Sequence, residues 1–120
     1  MLRDDDGLGP PGGMIGCLTY QSRAAAHPSD AELESLVLRA RSRNQAHGVT
    51  GMLLYENGRY LQTLEGPPSG LDVIWSSIKR DERHNDIEVL SQHLVSGRLF
   101  QGWGLLLYRK LDRAPRTILG

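Results

Sequence analysis

The chain has 120 residues, with 14 basic and 14 acidic side chains and a formal net charge of zero. That balance excludes the electrostatic footprint expected of a nucleic-acid or acidic-membrane binder, and the length fits one domain with a single core. One cysteine, Cys17, excludes an intrachain disulfide and a Cys-based zinc cluster and suits a reducing cytosol, while no apolar run approaches the ~20 residues needed to cross a bilayer.

Residues 1–13 (MLRDDDGLGPPGG) are acidic and rich in Gly and Pro, and read as a flexible leader with neither the basic start nor the apolar segment of a signal peptide. Met14 to Tyr20 (MIGCLTY) reads as a first strand. Alternation puts Gly16, Leu18 and Tyr20 on one face and Ile15, Cys17 and Thr19 on the other. Cys17 reads as a small core hydrophobe, because no base is identified near it. The hydroxyl of Tyr20 is free by position either to meet solvent or to point into a site.

Ser29 and Glu32 form the pattern of a capping box after Pro28, so a helix begins there. Leu33, Leu36, Val37, Ala40 and Asn44 follow at helical spacing, which places Asn44 on or beside the buried stripe. Taken alone, Asn44 reads as a helix-end residue before the turn at Gly48.

The run from Arg43 to Gly66 centres on Asn57-Gly58, a two-residue turn signal between two strand-like segments. The register this turn imposes sets Tyr55 opposite Tyr60, Leu54 opposite Leu61, Leu53 opposite Gln62 and Gly51 opposite Leu64. One face then carries Gly51, Leu53, Tyr55, Tyr60, Gln62 and Leu64. An amide buried among such neighbours costs about 1–3 kcal/mol unless it is hydrogen-bonded, so Gln62 needs a dedicated partner if that face is core.

After the Gly66–Gly70 break, Leu71, Ile74, Trp75 and Ile78 mark a second amphipathic helix. It should stop near Asp81-Glu82-Arg83-His84, a cluster that reads as a solvated helix end with His84 near the negative pole. Ile87 to Val95 and Trp103 to Tyr108 read as further strands, and the tail from Leu111 is assigned no structure. The order β-α-β-β-α-β-β predicts an α+β sandwich of ferredoxin-like layout, a five-stranded, mostly antiparallel mixed sheet with both helices on one face. Tyr20, Asn44 and Gln62 converge on that covered face, where a few polar groups in an apolar cleft mark a small-molecule site. His27, His47, His84 and His93 show no ligand spacing, so no metal is expected. No phosphate loop or Ser/His/Asp set can be nominated.

At these residues the chain resembles the BLUF domains, blue-light sensors that bind flavin. The resemblance rests on Leu18-Thr19-Tyr20-Gln21-Ser22, on Asn44 with Gly48-Val49-Thr50-Gly51, and on Gly58-Arg59-Tyr60-Leu61-Gln62-Thr63-Leu64-Glu65-Gly66. It continues through Asp81-Glu82-Arg83-His84 and Phe100-Gln101-Gly102-Trp103, and so spans Met14 to about Arg109. It implies a flavin, FAD or FMN, between the helices, with Gln62 and Asn44 on its polar edge and Tyr20 bonded to Gln62. Arg43, Ile78, Asp81, Arg83 and His84 would line the ring edge or the ribityl-phosphate chain. In blue light Tyr20 would pass an electron, and through Gln62 a proton, to the excited flavin. Recombination would then leave the Gln62 amide in a rearranged hydrogen-bonding state, so the protein is expected to be a photoreceptor and not an enzyme.

Three positions depart from the family pattern. Arg43 stands where Asn or His is common, Ala40 where Ser is frequent, and Leu105, near Trp103 on the last strand linked to signal output, replaces a Met. With no output domain appended, the expected partners are a second copy in a homodimer or higher oligomer, or a separate downstream protein in the cytoplasm. No nucleic acid or membrane is expected. Two other readings are a flavin-free regulatory module of the same fold and an acylphosphatase-type hydrolase, which would need an arginine and a glycine nest after the first strand. Arg23 is near, but three alanines follow it.

Overall fold

A computed structural model of the protein describes residues 14–101 together with the backbone of the strand at 106–109. The leader at 1–13, the tail from 111, and Trp103 and Leu105 lie outside the described residues. The elements are β1 (Ile15–Ala24), α1 (Asp30–Ala46), β2 (Thr50–Glu56), β3 (Arg59–Gly66), α2 (Pro68–Arg80), β4 (His84–Val95) and β5 (Leu106–Arg109). They build an α+β fold whose sheet has the order β4-β1-β3-β2-β5. Every neighbouring pair is antiparallel except β2 and β5, which are parallel.

The hairpin forms in the register its turn dictates. Glu56 faces Arg59, Tyr55 faces Tyr60, Leu53 faces Gln62 and Gly51 faces Leu64. Asn57 and Gly58 both hold positive φ, 52° and 79°, the backbone a two-residue hairpin turn requires and the reason these two residue types occupy it.

Helix α1 starts on the capping box. Ser29 Oγ accepts from the Glu32 amide at 3.1 Å, and Glu32 Oε1 accepts from the Ser29 amide at 2.8 Å. Helix α2 opens on Pro67-Pro68 without a side-chain cap, proline at the first position needing no amide partner. A Cβ on Gly70 would stand 2.2 Å from the His47 carbonyl oxygen, so only glycine lets the start of α2 approach the end of α1 this closely. Both helices bury their apolar stripes against one face of the sheet, in a core of Leu33, Val37, Val49, Leu53, Leu64, Ile74, Ile78 and their neighbours. Leu64 and Ile74 are 0% exposed, and each such burial contributes about 1.5–3 kcal/mol. None of the described helices is long and apolar enough to cross a membrane.

Two elements run further than their apolar content predicts. β1 continues past Tyr20 to Ala24 because it lies between β3 and β4 and is laddered on both sides, so Gln21, Ser22 and Arg23 are held by backbone pairing. β4 begins at His84 instead of Ile87 for the same reason, with His84 opposite Ala24. The Asp81-Glu82-Arg83-His84 cluster is the expected helix end, with Asp81 as the C-cap of α2 and His84 on the Ile78 carbonyl, but its last residue also opens β4. The last strand, expected over Trp103–Tyr108, is described over Leu106–Arg109.

Candidate functional site

The antiparallel register of β1 and β3 places Tyr20 opposite Gln62, and the next strand places Leu53 on the far side of Gln62. All three point to the helix-covered face and are nearly inaccessible; Tyr20 is 3% and Gln62 6% exposed. The Tyr20 hydroxyl donates a hydrogen bond to Gln62 Oε1. The partner that the amide needs is thus the one strand pairing delivers. Trp75 from α2 meets the Tyr20 ring edge-on at 5.2 Å, and His84 meets it at 6.1 Å.

Tyr20, Leu53, Gln62 and His84 border a cavity of about 160 Å³ between the two helices and the sheet. Of the residues expected at the site, Tyr20, Arg43, Gln62, Ile78, Asp81, Arg83 and His84 all line it. Asn44 does not. It is 1% exposed at the end of the same helix, and its carbonyl accepts from the amides of His47 and Val49, so its backbone closes the turn. Leu36, Arg39, Ala40, Leu53 and Tyr60 complete the lining. Leu36, Ala40 and Arg43 follow one another at spacings of four and three residues, so the helical stripe continues into the cavity wall, a pattern visible in the sequence. Arg39 was not singled out by it.

His84 spends both ring nitrogens on the protein. Nε2 lies 2.8 Å from the Ile78 carbonyl, which can only accept, so Nε2 carries a proton. In the neutral ring Nδ1, 2.7 Å from Ser22 Oγ, then accepts from the serine hydroxyl. His84 therefore ties the last turn of α2 to β1 beside Tyr20. Ser22, 4% exposed, is a site residue that spacing alone gave no sign of, because its partner lies 62 residues away.

Asp81 and Arg83 form a fork, with Arg83 Nε 2.9 Å and 3.1 Å from the two carboxylate oxygens and Nη2 2.5 Å from one of them. These bonds from Arg83 hold the Asp81 carboxyl down to about 2. Burial, followed by the charges of Asp81 and Tyr60, pushes the Tyr20 phenol far above its ordinary value, with Arg43 opposing. Tyr20 thus stays a protonated hydrogen-bond donor. Three guanidinium groups (Arg39, Arg43 and Arg83) line the cavity against the single carboxylate of Asp81, an arrangement that favours an anionic ligand. Arg43 Nε is buried and has no hydrogen-bond partner among the described residues. The described residues hold no group of three or more side chains able to bind a metal ion.

Residues 15–106 match the family model described as BLUF, sensors of blue-light using FAD. A relative, photoactivated adenylate cyclase subunit alpha of Euglena gracilis, is 35% identical over 88 residues, which are 73% of this chain and 9% of that protein. The chain spans about a tenth or less of the length of the first curated relatives it matches. Among solved structures, the dark-state BLUF protein BlrB superposes with a TM-score of 0.77 at 30% identity, covering 87% of this chain and 81% of BlrB. A bacterial light-regulated adenylyl cyclase gives the same score at 28% identity, over 88% of this chain and 32% of the cyclase. With the Tyr20–Gln62 pair at the centre of the matched region, the chain belongs to the BLUF family of blue-light flavin sensors.

Proposed function

We propose that this chain is a non-enzymatic blue-light switch that holds FAD in the cleft between α1 and α2 and reports light through the Tyr20–Gln62 hydrogen bond. The bond itself is the observation that carries the reading. It is buried, and it joins an oxidisable phenol to an amide able to donate or accept.

The residues fit a flavin. A cleft walled by Leu36, Ala40, Leu53 and Ile78 with Gln62 and the arginines beside them suits a ring with a polar edge, and Arg43 brings to it a buried N–H awaiting an acceptor. Asn44 and Gln62 are assigned to the polar edge of the ring. Arg43, Ile78, Asp81, Arg83 and His84 are assigned to its flank and phosphate chain. When bound, flavin supplies the blue-light absorption and the oxidising equivalent.

The protein supplies the proton path and the memory. Tyr20 Oη holds its proton on Gln62 Oε1, so a proton leaving the oxidised phenol moves along that bond onto the amide. A turn of the amide puts Nε2 where Oε1 stood, and once the electron and the proton have returned to Tyr20 its Oη accepts from Nε2 instead of donating. The burial of both groups keeps water from offering an alternative partner, so the two arrangements remain distinct.

The ferredoxin-like layout, with the sensor unit at residues 14–110, belongs to the same reading, as do a cytoplasmic setting and Trp103 and Leu105 as output positions. Light-state information would leave through a second copy of the chain or a separate protein partner. The hydrolase alternative finds no support, because Arg23 pairs with Asp86 at 3.3 Å on the surface instead of lining a nest. The test is an absorption spectrum of the purified protein in darkness and under blue light. A flavin spectrum that shifts reversibly to the red is expected. A bound flavin that does not shift would discard the switch, and a colourless protein that takes up no added flavin would discard the reading.

A further inference from the structure

Strand β4 stands at one edge of the sheet, paired to β1 on one side and to no described strand on the other. A strand edge carries a row of backbone N–H and C=O groups that a further strand can pair, and proteins commonly blunt it with lysine or proline. β4 holds neither over its 12 residues. It presents apolar side chains instead: Val89, Leu90 and Leu94 are half-exposed.

The pairing of β4 with β1 shows which side chains share a face. Leu94 lies opposite Gly16, Gln92 opposite Leu18 and Val89 opposite Tyr20, residues of the helix-covered face. His93, Ser91 and Glu88 lie opposite Cys17, Thr19 and Gln21 on the other face. Leu90 is the extra residue, an irregularity between Ser91 and Val89 that resets the alternation. Ile87 packs against the core and so returns to the helix-covered face. In a regular strand, residues separated by an odd number of positions stand on opposite faces. Across Leu90 the rule inverts, so Val89 and Gln92, Glu88 and His93, and Ile87 and Leu94 each share a face.

That is the condition for β4 to pair with itself. Two antiparallel copies related by a two-fold axis between Leu90 and Ser91 would set Ile87 opposite Leu94 and Val89 opposite Gln92 on the helix side, and Glu88 opposite His93 on the other. The pairs are complementary in kind. Ile87 and Leu94 bury apolar surface, and the imidazole donates to a carboxylate that has given one oxygen to Gln21 Nε2 at 2.8 Å. Moving the register by two residues either way sets Glu88 opposite Val95 or Ser91 and loses the charged pair.

We infer that β4 is the seat of a second copy of this chain, joined through two antiparallel β4 strands into one continuous sheet, with Glu88 of each copy on His93 of the other. The inference goes beyond the sensor reading, because β4 alone carries it. Val89, opposite Tyr20 in the ladder, sets the seat one strand away from the Tyr20–Gln62 pair.

The test is sedimentation equilibrium of the full chain in darkness over a range of micromolar concentrations. A dimer of twice 13.3 kDa is expected. Glu88→Lys and His93→Glu should each raise the dimer dissociation constant at least about tenfold, by facing lysine with imidazole or glutamate with glutamate across the axis. Combined in one chain, the two changes again set a carboxylate opposite a cation and should return the constant to within about threefold of the unsubstituted value. Within one copy the two positions are roughly 16 Å apart along the strand, so only pairing between copies produces that rescue. Leu90→Lys, an edge lysine at an exposed position, should leave the chain monomeric. A monomer at every concentration, a dimer indifferent to Leu90→Lys, or a double variant no tighter than either single one would each overturn the β4 interface while leaving the flavin cleft in place. A dimer that shows the rescue but takes up no flavin would support this interface and count against the sensor reading instead.

Discussion

Tyr20 illustrates how a residue acquires chemistry from its surroundings. A phenol in water is an ordinary group, but here desolvation holds its proton tightly and one amide oxygen receives the hydrogen bond. Tyr20→Phe should keep flavin bound and abolish the light-induced red shift, measured by difference absorption; a normal photocycle would remove Tyr20 from the mechanism. The same change leaves Gln62 Oε1 buried without its donor, at a cost of about 1–3 kcal/mol in denaturant unfolding. Gln62→Leu should also lose the shift, and an unchanged shift would mean another amide is the switch.

The raised pKa of Tyr20 also has a pH signature. A group whose folded value lies above its ordinary 10.0 adds stability that is full below pH 10 and is lost as pH rises toward the folded value. Unfolding free energy should therefore fall more steeply above pH 10 in the unsubstituted protein than in Tyr20→Phe. Parallel slopes would show that Tyr20 does not carry the effect. Asp81 behaves in the opposite sense. Its contribution is present above its ordinary 3.8 and is lost as pH falls toward about 2.

At the scale of the element, α1 depends on its first turn more than on a strongly segregated apolar face. Its buried residues are Leu33, Val37, Ala40 and Asn44, a narrow stripe with a polar end, while Arg39, Arg41 and Arg43 crowd its last turns. Ser29→Ala should therefore destabilise the protein by about 1 kcal/mol in a urea titration, and no loss would show that the capping box is incidental. Because α1 supplies one wall of the cavity, the same variant should raise the flavin dissociation constant slightly without altering the spectral shift. Helix α2 reaches the site differently. Its C-terminal carbonyl at Ile78 is bound by His84, so the end of the helix is anchored to the strand it leads into.

At the scale of the molecule, Glu65 joins the hairpin to the chain that leads toward β5. Its side chain lies on the opposite face of β3 from Gln62, is 1% exposed, and accepts from the amides of Leu99, at 3.0 Å and 2.9 Å, and Phe100, at 3.0 Å. Arg98 completes the clamp, reaching Thr50 Oγ1 at 3.0 Å and the Gly48 carbonyl at 2.8 Å. Glu65→Gln removes the charge and one of the two acceptor oxygens. It should cost about 1.5–3 kcal/mol and speed hydrogen exchange at Leu99 and Phe100, with the flavin spectrum unchanged. Exchange rates that stay the same would show that the segment is held by other contacts.

Several features of this protein were decided locally and could be read from the chain. The Asn57-Gly58 turn sets its own register because two adjacent residues must take positive φ, and a period-of-two pattern then determines which side chains share a face. The capping box is a contact across three residues. The need of Gln62 for a partner was legible for the same reason, an amide standing in an apolar row. The identity of the remaining site groups was not. Ser22 and His84 are 62 residues apart, Glu65 and Leu99 34 apart, and Arg39 and Arg83 line one cavity from α1 and from the turn after α2. Pairing of β1 on both sides extends it through polar residues whose own propensities oppose a strand, and carries β4 back to His84. Sequence patterns record which face a residue prefers. Which distant groups meet on that face is settled only when strands are placed side by side, because hydrogen-bonded ladders and buried cavities are properties of the assembled sheet.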